Sequence, residues 1–147
     1  VPHFTLQIGP NGPIVNAFVA VSQGRTAALT AAGQAIPKPA PILALVDTGA
    51  SCTCVDPSVL HGLKLTPTGS ISVNTPSTGL TPHETYQYDI ALVIPAPSGS
   101  PLIFQTIPVV AADLLEAQGF HALIGRDILS RCFFTYNGEV GIFTLAY

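Results

Sequence analysis

The chain has 147 residues, enough for one domain with a substantial hydrophobic core. Hydrophobic residues make up 48% and charged residues only 9%, with a formal charge of −3; the five Lys and Arg cannot form the basic stripe that nucleic acid requires. No apolar run reaches the ~18–20 residues of a membrane span, and no charged start leads into an apolar signal core.

Phe4–Ile8 and Ile14–Val21 read as two strands, joined as a hairpin by the turn-rich GPNGP. Residues 22–41 carry small residues and then closely spaced prolines, and are expected to form a long surface loop with one short helical turn at 27–32. The Pro-rich end does not suit a central strand. Ile42–Val46 is an apolar run that reads as a buried strand, and it ends in Asp47-Thr48-Gly49. Cys52–Val55 extends again. Asp56 then suits an N-cap, Pro57 the first helical position and Gly62 the end of a short helix. Ile71–Thr75 and Thr85–Ile94 read as strands, and in the second Tyr86, Tyr88, Ile90, Leu92 and Ile94 share one apolar face. Leu102–Val110 is another strand, and ADLLEAQGF fits a short helix ended by Gly119. ALIGRDILSR gives a strand, a glycine turn and a helix, and the chain closes with a hairpin through Asn137-Gly138. Short strands with one or two brief helices predict a single all-β domain over residues 1–147, with barrel-like closure.

The three cysteines, Cys52, Cys54 and Cys132, are too few and too odd in number for a complete disulfide framework. Reduced thiols favour a cytosolic setting. A start at Val1 in a chain without methionine suggests an excised piece, which leaves room for a removed signal or anchor and a periplasmic or tethered origin. Cys52 and Cys54 with His61 match no usual zinc spacing and lack a fourth ligand, so no metal is expected. So apolar a chain with so few charges points to surface covered by a partner, self-association included.

Asp47 is the candidate for chemistry. A carboxylate at the end of a buried strand is costly unless its neighbours supply hydrogen bonds. Gly49 lets the backbone bring an N–H close to an oxygen, and Thr48 adds a hydroxyl to lock the turn. Read alone, an ordinary turn aspartate explains this slightly better, because such turns are common.

A second motif changes the balance. LVDTGAS at 45–51 and LIGRDIL at 123–129 together resemble the retropepsin family, the single-domain aspartic proteases typified by retroviral proteases. The order of elements agrees along most of the chain, residues 22–41 excepted. The resemblance implies a closed acid-protease barrel and hydrolysis of peptide bonds by two carboxylates that share one proton. Only one Asp-Thr-Gly exists here; Asp56 and Asp113 are not followed by Thr-Gly. The second carboxylate is therefore expected from Asp47 of another copy, in a twofold homodimer. The resemblance implies that Thr48 hydroxyls brace the two turns, that Gly49 N–H groups hold the carboxylates, and that a water between them attacks the scissile carbonyl. No metal or organic cofactor is implied.

By the same resemblance, residues 71–88 form a flap with Ser77, Thr78 and Gly79 at its tip, although a plain exposed hairpin explains the segment too. Leu45 shares a strand face with Asp47 and, with Leu123 and His121, is expected to line side-chain pockets for a peptide or protein substrate. A pure core role suits Leu45 nearly as well. Gly125, Arg126 and Asp127 are expected to hold the turn and the interface. Viral members have aspartate where Ser51 stands, so Arg126 is expected to bond backbone carbonyls or another acid. The insertion at 22–41 suggests a cellular, bacterial type. The other readings are a catalytically silent dimer that binds peptides and one lobe of a two-lobed chain; a serine hydrolase lacks its GxSxG turn.

Overall fold

The computed structural model describes all of residues 1–147. Ten strands and four short helices follow one another as β1 (His3–Gln7), β2 (Ile14–Val21), α1 (Gln23–Ala31), β3 (Ala40–Val46), β4 (Cys54–Val55), α2 (Pro57–Gly62), β5 (Gly69–Val73), β6 (His83–Ile94), β7 (Leu102–Ala111), α3 (Leu115–Gln118), β8 (Ala122–Ile124), α4 (Arg126–Leu129), β9 (Phe133–Asn137) and β10 (Ile142–Ala146). Six strands run β2-β3-β8-β4-β7-β6 and close where β6 pairs again with β2; β5 hangs on the outer side of β6. Closure removes the free edges that the six strands would otherwise expose. The all-β, barrel-like expectation holds, with four helices in place of one or two.

A second sheet, β1-β10-β9, joins the two ends of the chain. The expected β1–β2 hairpin is therefore wrong: β1 pairs with β10 in full register from His3↔Ala146 to Gln7↔Ile142. GPNGP closes only a Gly9↔Gly12 bridge and carries the chain from one sheet to the other. Phe4, Phe143 and Leu145 of the small sheet are buried with the barrel residues, so both sheets share one core.

Strand alternation works where the barrel walls continue. In β6, Tyr88, Ile90, Leu92 and Ile94 are buried, yet Tyr86 is exposed. Tyr86 pairs with Ser70 in the β5–β6 hairpin, beyond the point where the barrel interior begins. On β7 a bulge separates the pairs Ile90↔Ile107 and Leu92↔Phe104, which turns both Phe104 and Ile107 inward.

The expected loop at 22–41 contains helix α1, longer than the single turn expected at 27–32. Ser22 caps it by accepting from the Arg25 N–H at 3.2 Å. Gly33, at φ +66°, ends it, with Gln34 N–H reaching Leu29 O at 2.9 Å and Gly33 N–H reaching Thr30 O at 3.1 Å. Only Leu29 of this helix is buried, so no apolar stripe announces it in the sequence. Strand β3 then starts at Ala40, two residues earlier than expected. Pro41 is tolerated because it faces Phe18 of β2, at an end of β3 that β8 does not reach.

Helix α2 has the expected Asp56 cap, Pro57 start and last residue Gly62, but Gly62 does not take the left-handed turn. The chain continues so that Leu63 enters the core, and Lys64 takes the left-handed turn at φ +54°. Leu65 N–H then bonds Leu60 O at 3.1 Å. Lys64→Gly removes the strain of a side chain in that conformation and is expected to raise stability by about 1 kcal/mol in denaturant unfolding; an unchanged or lower midpoint contradicts this.

Asp56 does more than cap α2. Its Oδ1 accepts from Ser58 N–H at 2.9 Å and from the Ser58 hydroxyl at 2.6 Å, while Oδ2 accepts from Leu114 and Leu115 N–H, each at 2.9 Å. Burial alone raises its pKa, but these four bonds outweigh it and hold the carboxyl well below its ordinary value of 3.8. A lowered folded value means that the carboxylate stabilises the fold fully above the unfolded value and loses that contribution as pH falls through the folded one. Thermal stability should drop as pH falls below about 4, and Asp56→Asn, which turns an amide NH2 toward donors, should flatten that drop. An identical acid profile for wild type and variant contradicts this.

Candidate active site

Strand β3 delivers Asp47 to the barrel rim. Asp47 N–H bonds Ile124 O of β8 at 3.0 Å, and Val46 N–H bonds Pro13 O at 2.9 Å, so the strand end is fixed on both sides. The Asp47 side chain is half-buried. Its Oδ1 accepts from Gly49 N–H at 2.8 Å. A Cβ on Gly49 would lie 3.1 Å from that oxygen, so a larger residue crowds the carboxylate. Thr48 and Gly49 stand exposed at the turn.

The second motif grips this turn. Arg126 donates through Nη1 to Thr48 O at 2.9 Å and to Gly49 O at 3.1 Å, and its main-chain N–H bonds Ala50 O at 2.9 Å. With serine at position 51, the guanidinium thus holds main-chain carbonyls. Asp127 accepts from Thr53 N–H at 3.0 Å through Oδ2, and from the Thr53 hydroxyl at 2.8 Å through Oδ1. The same hydroxyl accepts from Gly125 N–H at 3.2 Å. Thr53 is buried, so each of these partners matters. A Cβ on Gly125 would come within 2.5 Å of the Cys52 carbonyl carbon and oxygen, closer than any side chain permits.

The β3–β8 register sets Leu45 directly beside Leu123, both half-buried on the face that alternates with buried Ala44, Val46, Ala122 and Ile124. Leu45 is partly covered by the β1–β2 link, since a Cβ on Gly12 would lie 3.0 Å from its Cδ1. The register adds a residue that the sequence reading passed over. Cys54 of β4 pairs with Leu123 and continues this row. Burial first, then Cys52 and the charges of Asp127 and Asp47, push the Cys54 thiol up to about 12. It stays neutral and serves as a small apolar wall. Only the pairing of the short β4 could have revealed it, and two residues give alternation too little to work on.

His121 stands just before β8, beside Leu43: its Nδ1 accepts from Leu43 N–H at 3.0 Å, and its own N–H bonds Leu43 O at 2.8 Å. At the β5–β6 hairpin, residues 74–82 connect the strands, with Ser77, Thr78 and Gly79 at the tip. Thr78 N–H is spent on Thr75, at 3.0 Å to its carbonyl, and Gly79 turns at φ +60°. No group of three or more His, Cys, Asp or Glu side chains is arranged to hold a metal ion.

No protein-family model and no curated protein matches the chain. Among solved structures it is similar to a retropepsin-like aspartic protease from Rickettsia conorii, with a TM-score of 0.57 and 17% identity over 99% of this chain and 91% of that one. The fold is thus that of the retropepsin-like aspartic proteases, over the whole length of the chain.

The Thr53 node generates a test of the site's frame. Thr53→Val keeps the shape but strips the hydroxyl from Gly125 and Asp127, and is expected to cost about 2 kcal/mol in unfolding. Gly125→Ala, which must displace main chain, is expected to cost more than Thr53→Val. The reverse order would show that the close approach to Cys52 is not the tighter constraint.

Proposed function

We propose that the protein is an aspartic endopeptidase whose active site forms between two copies, each giving one Asp47. The observation that carries this reading is the Asp47 carboxylate at the rim of a retropepsin-like barrel, held by Gly49 N–H at 2.8 Å within a turn gripped by Arg126. The carboxylates of Asp56 and Asp127 support it by their commitments. Asp56 is saturated by Ser58, Leu114 and Leu115, and Asp127 by Thr53 and Ile128. Neither is free to complete a pair within one chain.

Two Asp47 groups across a twofold axis share one proton, because like charges a few ångströms apart cannot both ionise. The ionised partner takes a proton from the attacking water. The neutral partner hydrogen-bonds the scissile carbonyl oxygen, and a proton is later delivered to the leaving nitrogen. Thr48, with its hydroxyl at the exposed turn, braces the two loops across the axis. The peptide lies extended, and Leu45, Leu123 and Cys54 offer apolar walls that favour hydrophobic residues beside the cut. The hairpin closes over it as a flap. At its tip the N–H groups of Ser77 and Gly79 are the donors toward the peptide, since that of Thr78 is used inside the turn. Closure excludes bulk water from the carboxylates.

The test is cleavage of a mixed peptide library by wild type and by Asp47→Asn. Wild type is expected to cut beside hydrophobic residues, and the variant to lose at least about a thousandfold in turnover while staying folded. Equal cleavage by both would remove Asp47 from the chemistry. No cleavage by either, with peptide still bound, would make the protein a binding module.

A further inference from the structure

We propose that His121 is a positioning residue for this active site, a two-point clamp that fixes β3 ahead of Leu45 and Asp47. In a strand, the N–H and C=O of one residue point to the same side. For Leu43 both point toward the start of β8, and a single residue satisfies both. His121 N–H donates to Leu43 O at 2.8 Å, and His121 Nδ1 accepts from Leu43 N–H at 3.0 Å. The carbonyl of His121 in turn accepts from Asp56 N–H at 2.8 Å. One residue therefore ties β3 to the anchored loop that caps α2 and receives α3.

The side chain stands where the ladder would otherwise run out. Regular β3–β8 pairing spans only Ala44↔Ala122 to Val46↔Ile124. Leu43 itself is partly exposed, so its main chain gains little from packing. Without the imidazole, its N–H has no acceptor on this side, and the strand that carries Leu45 and Asp47 can fray from that end. Accepting at Nδ1 also sets the tautomer, because a neutral imidazole then carries its proton on Nε2. Asparagine can present a side-chain acceptor at the same reach as Nδ1. Alanine and leucine present none.

The experiment compares wild type with His121→Ala and His121→Asn by amide hydrogen exchange at Leu43 and by peptide turnover. Alanine is expected to speed Leu43 exchange about tenfold, the scale of one main-chain hydrogen bond, and to lower kcat more than it raises KM; asparagine is expected to restore both. If alanine does not fold, His121→Leu, which keeps bulk without an acceptor, takes its place. Unchanged Leu43 exchange in the acceptor-free variant, or no recovery with asparagine, overturns the clamp. Faster exchange with unchanged kcat overturns its positioning role. The turnover arm rests on the protease reading: if wild type cleaves nothing, that reading fails, while exchange at Leu43 still judges the clamp.

Discussion

Asp47 keeps its place because two stretches of chain far apart in sequence meet at Gly125 with no room to spare. The backbone of Cys52 lies where a side chain on Gly125 would have to go. That contact lets Thr53 reach Asp127 and lets Arg126 reach the carbonyls of Thr48 and Gly49. A guanidinium on two main-chain carbonyls fixes the loop that follows Asp47. Asp127 meanwhile is consumed by neutral donors, so it braces the frame rather than joining the chemistry. The motif around Gly125 is thus a support for the motif around Asp47, and the barrel exists to hold the two side by side.

The barrel does so through very little regular pairing. Strand β8 is three residues long and β4 two; they pair with each other and with the longer β3 and β7, so each has a partner on both sides. This economy leaves the rim shaped by single residues. Leu45, Leu123 and Cys54 form a half-buried row, Asp56 knots α2 to α3, and His121 closes the gap where pairing between β3 and β8 stops.

Much of this was legible in the sequence, for identifiable reasons. The apolar run before Asp47, the two short motifs and the alternation in β6 each depend on local pattern, and each led to the right element. What failed depended on pairing or on weak pattern. The GPNGP turn looks like a hairpin link, but the partner of β1 lies at the far end of the chain, which no local signal reveals. Helix α1 buries only Leu29 and so has no stripe; its Ser22 cap and Gly33 stop were the available clues. Gly62 ends α2 as expected, yet with Leu63 buried the left-handed turn falls on Lys64. At the site, Arg126 with main-chain partners was foreseeable from Ser51, while Cys54 and the His121 clamp emerge only from register.

The central claim is that neither copy is a catalyst without the other, and subunit mixing tests it most directly. A fixed amount of wild type is equilibrated with an about ninefold excess of Asp47→Asn, and peptide cleavage is measured after exchange. If the site needs one Asp47 from each copy, random pairing leaves about a tenth of the original activity. Activity unchanged by the excess, in a mixture shown to exchange subunits, would mean that each chain works alone.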